Sequence, residues 1–221
     1  MNLHRYLIAS SLAAACLLTA ACGQQAAANP NTVAKIGPRM EAAMRSAKSV
    51  HIVGTVTQGS QQTTLDVSFQ GGAMSGIVGV NGQTVNLVVF SNHAYVKVDQ
   101  SFLNIAGLPA SDCSSMCGRY LAVPASQLGQ AGSITLSGLM NQLLSKVPSP
   151  KNDTSDVFVR STLNGQPVLK GGADGVTVEV AGSGTPYPLL ITKAGQATIT
   201  FSQWNAVPPI TPPPADEVIT T

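Results

Sequence analysis

Three dipeptides, Asn81-Gly82, Asn164-Gly165 and Asp174-Gly175, constrain this chain more than any other feature. Each joins a residue that tolerates a left-handed backbone to a glycine, the pairing that closes a tight β-hairpin. Each lies among stretches whose apolar residues recur at every second position, the period of a strand with one buried face. Val50, Ile52 and Val56 share one side, and Leu65, Val67 and Phe69 alternate with Thr64, Asp66 and Ser68. Ile77, Val78 and Val80 lead into the first turn, and Val85–Phe90 and Ala94–Val98 follow it. The spacing predicts an antiparallel meander of about five strands with one apolar face. The second half repeats the pattern through Val157–Ser161, Pro167–Lys170, Val176–Val180, Leu189–Thr192 and Ala197–Phe201.

Helical periods are set apart from these strands. From Thr32 to Lys48, the residues Val33, Ile36, Met40, Ala43, Met44 and Ala47 recur at three- and four-residue steps, with Lys35, Arg39, Arg45 and Lys48 around them. A basic amphipathic helix can lie on a membrane, but a stripe that runs straight into a sheet is read as docked on it. Pro38 falls in its early turns. Ser101 is the expected cap of a short helix through Phe102, Leu103 and Ile105, ended by Gly107. Arg119–Val123 is extended and stopped by Pro124. Thr135 or Ser137 opens a helix to about Val147, ended by Pro148 and Pro150. Its face of Leu136, Leu139, Met140, Leu143, Leu144 and Val147 suits either a core helix or the roof of a cavity. The tail Val207–Pro214 is polyproline-like and is expected to lie extended along the body. Strand runs with separate helices predict an α+β domain: a single curved antiparallel sheet of about 10–11 strands wrapped around a few helices.

Ahead of this domain, Leu7 to Ala21 is apolar except for Ser10, Ser11 and Thr19, and it follows His4 and Arg5. About fifteen residues fall short of the ~20 that cross a bilayer as a helix, so residues 1–21 read as an export signal. Ala20-Ala21-Cys22 resembles a bacterial lipobox, with Cys22 lipidated and serving as the new N-terminus; simple cleavage after Ala21 is the plainer alternative. Cys16 suits the role less, because apolar residues still follow it. Residues 22–31 form a flexible tether and residues 32–221 the folded domain. Discounting Arg5 leaves 11 basic residues against 10 acidic ones, so no basic patch calls for nucleic acid. Cys113 and Cys117, in an exported chain, read as a disulfide; no further Cys, His or carboxylate stands near enough to suggest a metal instead.

Catalytic patterns are missing. Beyond the signal the histidines are His51 and His93, both beside strands and read as surface residues, without metal-ligand spacing or a nucleophile elbow. The glycines fit turns rather than a phosphate loop, and the carboxylates are scattered. The expectation is a protein without enzymatic activity, cofactor or metal. An envelope hydrolase would need groups that only folding could assemble.

Several segments resemble the LppX/LprG-type actinobacterial lipoproteins. These are Ser46–His51 at the first helix–strand junction, Ala94–Lys97 with Phe102, Gly118–Pro124, and Thr200–Asn205 followed by Val207, Ile210 and prolines. That family is similar in fold to LolA and LolB. The resemblance implies a half-barrel around helices, with a cavity for the acyl chains of lipids or glycolipids. It also implies a role in moving or presenting lipid at the extracytoplasmic face of the cell membrane, with a lipid transporter as a further partner. Burying a sixteen-carbon chain is worth a gross ~10 kcal/mol at about 0.8 kcal/mol per methylene, so such a site needs no ligand motif. The expected lining is Val56, Leu65, Val67, Val96, Leu139, Met140, Leu143 and Val178. A sensor or interaction lipoprotein with a packed interior is the alternative.

Overall fold

A computed structural model describes residues 33–90, 92–128, 135–146 and 158–219. The signal, Cys22, the tether, Val147, Pro148, Pro150 and Val157 lie outside the described residues. Strands β1 (Ser49–Gln58), β2 (Gln61–Gln70), β3 (Ala73–Val80), β4 (Gln83–Val89) and β5 (His93–Lys97) form the expected meander. β6 (Tyr120–Pro124) adds to β5. In the second half, β7 (Val159–Leu163), β8 (Gln166–Ala173), β9 (Val176–Ala181), β10 (Pro188–Lys193) and β11 (Ala197–Ser202) form another. The three hairpin dipeptides have positive φ at both residues, as at Asn81 (50°) and Gly82 (85°), the signature of a type I′ turn.

The two meanders join through β1 and β11, where His51 faces Ser202 and Val56 faces Ala197. The result is one open sheet of twelve strands, in the order β12-β6-β5-β4-β3-β2-β1-β11-β10-β9-β8-β7. Its edge strand β12 (Val218–Ile219) departs from the expected all-antiparallel sheet of 10–11 strands, because it pairs parallel with β6. The approach to it is legible afterwards. Val207, Ile210 and Pro213 are half-buried while their neighbours are exposed, a spacing of three that matches one edge of a polyproline helix. The Val207 N–H donates to Ser49 Oγ at 3.2 Å, which fixes the start of the tail beside β1. A short helical turn, Ala215–Glu217, then delivers the chain to β6.

Four helices complete the described residues: α1 (Val33–Ser46), α2 (Gln100–Ala106), α3 (Cys113–Met116) and α4 (Leu136–Lys146). The α1 stripe is docked as expected, with Ile36, Met40, Ala43 and Met44 all buried. Ile36, Met40 and Met44 join Leu136 and Met140 of α4 in one core with Val50, Phe69 and Phe201 of the sheet. Arg45 Nη1 donates to Asn141 Oδ1 at 2.6 Å, tying α1 to α4. Helix α2 is capped by Asp99 rather than Ser101, the Asp99 carboxylate accepting from the Phe102 N–H at 2.8 Å. The Ser101 hydroxyl instead accepts from the Thr84 N–H of β4, so packing on the sheet recruited it away from the helix end.

Candidate functional site

Alternation along the strands gives the sheet an apolar inner face, and burial along that face is graded. Toward one end, Val50, Ile52, Val67, Phe69, Met74, Val89 and Phe201 are fully covered. Toward the other end of the sheet, Val56, Leu65, Val78, Val85 and Val176 are only half-buried; Leu139 and Leu143 of α4, packed against the same core, are half-buried as well. Leu65, Val78 and Val85 stand in direct cross-strand register, so this partly covered end carries a continuous apolar surface.

The eight expected lining residues divide along this gradient. Val67, Val96, Met140 and Val178 are each 2% exposed or less and belong to the closed interior. Val56 and Leu65 lie at the half-buried end, and Leu139 and Leu143 are half-buried on α4 against the core. Seven of the eight belong to or border the main core, whereas Val96 stands outside that cluster, beside Leu87.

Two recesses lie against the outer face, and none of the eight residues lines either of them. One, of about 430 Å³, is bounded by Thr55, Thr57, Thr177, Thr192, Thr198 and the residues 193–197 around the β10–β11 turn. The other, of about 450 Å³, lies over Ile77, Asn86 and Lys97, and Cys113 and Cys117 form part of its wall. Those two cysteines are bonded, as expected, with Cα atoms 4.6 Å apart.

The outer face also carries a hydrogen-bonded chain that sequence spacing did not reveal. His51 Nε2 lies 2.8 Å from Asp66 Oδ1, and His51 Nδ1 lies 3.1 Å from Ser202 Oγ. Alternation alone would have put His51 and Asp66 on one face; Ser202 joins them only through the long-range pairing of β1 with β11. A Ser-His-Asp chain does acyl chemistry when donors also wait for an oxyanion inside a cleft. Here Asp66 is 61% exposed, the strands beside it are paired in the sheet, and neither of the two recesses above includes the three. The chain ties three strands together across a solvated face. His93 is exposed and contacts Asn92 at 2.7 Å. No group of three or more potential metal ligands occurs among the described residues.

No family model matches the chain, and no curated protein matches it. Among solved structures, the crystal structure of LprF from Mycobacterium bovis superimposes at a TM-score of 0.51 with 17% identity, covering 81% of this chain and 95% of that one. The crystal structure of the Mycobacterium tuberculosis lipoprotein LppX matches at a TM-score of 0.45 with 18% identity, covering 80% and 95%. The first likeness establishes a shared half-barrel fold; the second is too loose to add to it.

Proposed function

We propose that this chain is a membrane-anchored envelope lipoprotein that receives the acyl part of a lipid or glycolipid against its inner sheet face, for transport or presentation rather than catalysis. The observation that carries the reading is the partly covered apolar end of that face, formed by Val56, Leu65, Val78, Val85 and Val176, together with the half-buried Leu139 and Leu143 of α4 against the same core. Contiguous apolar surface facing water is uncommon unless something binds there. A hydrocarbon tail gains from such a surface in proportion to the area it covers, without directional groups. The half-barrel fold and the Ala20-Ala21-Cys22 ending support the same reading.

The test uses the exported chain carrying Cys22→Ala. It should move from the membrane to the medium, carry acyl lipid that organic extraction and mass spectrometry detect, and take up a fluorescent fatty acid after delipidation. Leu65→Arg and Leu143→Arg, at half-buried positions, should lower that uptake at least tenfold while the protein stays folded. Absence of both extracted lipid and uptake would overturn the lipid reading. Unchanged membrane retention of the Cys22→Ala chain would overturn the anchor.

A further inference from the structure

Across five neighbouring strands, the outer face carries a threonine at one level. Thr177 of β9 faces Thr192 of β10, Thr192 faces Thr198 of β11, Thr198 faces Thr55 of β1, and Thr55 faces Thr64 of β2. Strand preference alone favours threonine on a solvated sheet face, and cross-strand threonine pairs stabilise modestly. Neither effect requires the row to continue unbroken through strands that are distant in sequence, nor a recess above it. Four of the five, with Thr57 and Gln196, line the 430 Å³ groove.

The lining specifies a chemistry. It contains no carboxylate and no aromatic ring, and its one charged residue is Lys193, exposed at the end of β10. Hydroxyls and an amide both donate and accept hydrogen bonds, as the groups of a polyol do. The hydrogen-bonded chain of the outer face runs through His51, Asp66 and Ser202 and leaves these threonines out. A hydrocarbon seated here would strip water from the hydroxyls without replacing it, and an anion would find a single solvated lysine. Adjacent strands are about 4.8 Å apart, close to the length of one sugar unit in an extended β-1,4-linked chain. A saccharide lying across the strands would therefore meet one threonine per unit.

From this register and lining, we infer that the outer groove over β9, β10, β11 and β1 binds a segment of a neutral glycan chain. The site lies on the opposite face from the proposed lipid surface and does not depend on it.

Cellohexaose is the probe, and hexagalacturonate is its charged counterpart. Added to the Cys22→Ala protein, cellohexaose should shift the backbone amide signals of Thr55, Thr177, Thr192 and Thr198 and bind in the millimolar range or tighter. The double variant Thr192→Val/Thr198→Val keeps branched side chains of the same shape and should bind about 25-fold more weakly, at about fivefold per hydroxyl lost. If the double variant unfolds, Thr198→Val alone, at an exposed position, should show the fivefold loss. No binding of cellohexaose, undiminished binding by the valine variants, or equal binding of hexagalacturonate would each overturn the assignment. Because the probe has no acyl chain, failure here leaves the lipid reading untouched.

Discussion

Replacing Gly76 by alanine tests whether close strand contact sets the path of the sheet. Gly76 lies in β3 between Val67 of β2 and Leu87 of β4, and it holds φ at 143°. A Cβ there would fall inside the contact distance of the Asp66 carbonyl oxygen and lie 2.7 Å from Val67 Cα. Both obstacles are backbone, so no side chain can swing aside. Holding a non-glycine residue in that region costs about 1–3 kcal/mol. Moving β3 off β2 would also weaken at least two ladder hydrogen bonds, at about 1 kcal/mol each. The sum is about 3–5 kcal/mol, which for a domain of roughly 190 residues lowers Tm by about 6–20 °C. Gly37→Ala is the matched control: Gly37 lies within α1, and an added Cβ meets nothing within 4 Å beyond its chain neighbours Ile36 and Pro38. The helix-propensity gain of about 0.5–1 kcal/mol is opposed by crowding of the new Cβ against the ring of Pro38, so this variant should stay within about 1 kcal/mol of the parent. Urea unfolding followed by circular dichroism measures both changes. A Gly76→Ala protein within 1 kcal/mol of the parent, at unchanged m-value, would refute the argument, since that agreement would mean that the strands separate freely there.

Two further substitutions probe single contacts. Asp99→Ala removes the only described side-chain cap of α2 and should cost about 1 kcal/mol in urea; a change below 0.3 kcal/mol would mean that Gly107 and packing hold the helix without it. Lys170→Ala leaves the buried Glu179 carboxylate without the ammonium now 3.3 Å away, and Glu179 Oε2 already has no hydrogen-bond partner among the described residues. With Lys170 half-exposed, the expected loss is about 1–2 kcal/mol, whereas Lys170→Met with Glu179→Leu should be near neutral; the reverse order in thermal melts would show that the pair stabilises the sheet outright.

What could be read from the sequence is what local physics decides. Asn81-Gly82 sets a register because only a left-handed pair closes a two-residue turn, and the α1 stripe buries because its period matches a helix. The structure adds what depends on distant partners. Val218 and Ile219 are too short a run to announce a strand, and β6 makes them one. Asp99 outcompetes Ser101 as a cap because Ser101 is drawn to Thr84 on another element. The inner apolar face was legible residue by residue, since every second position declares its side, but its gradient of cover depends on where α1 and α4 settle. The threonine row is the sharpest case. Thr55, Thr64, Thr177, Thr192 and Thr198 look like ordinary outward residues of separate strands, and nothing local aligns them. Their alignment follows from the β1–β11 pairing, which sets two independently legible meanders side by side at a fixed level. A one-residue slip there would turn Thr198 inward and break the row, while each meander kept its own internal register. The same pairing that closes the inner core over Phe201 and Ile52 thus determines which polar groups meet outside, and both proposed surfaces stand or fall with that register.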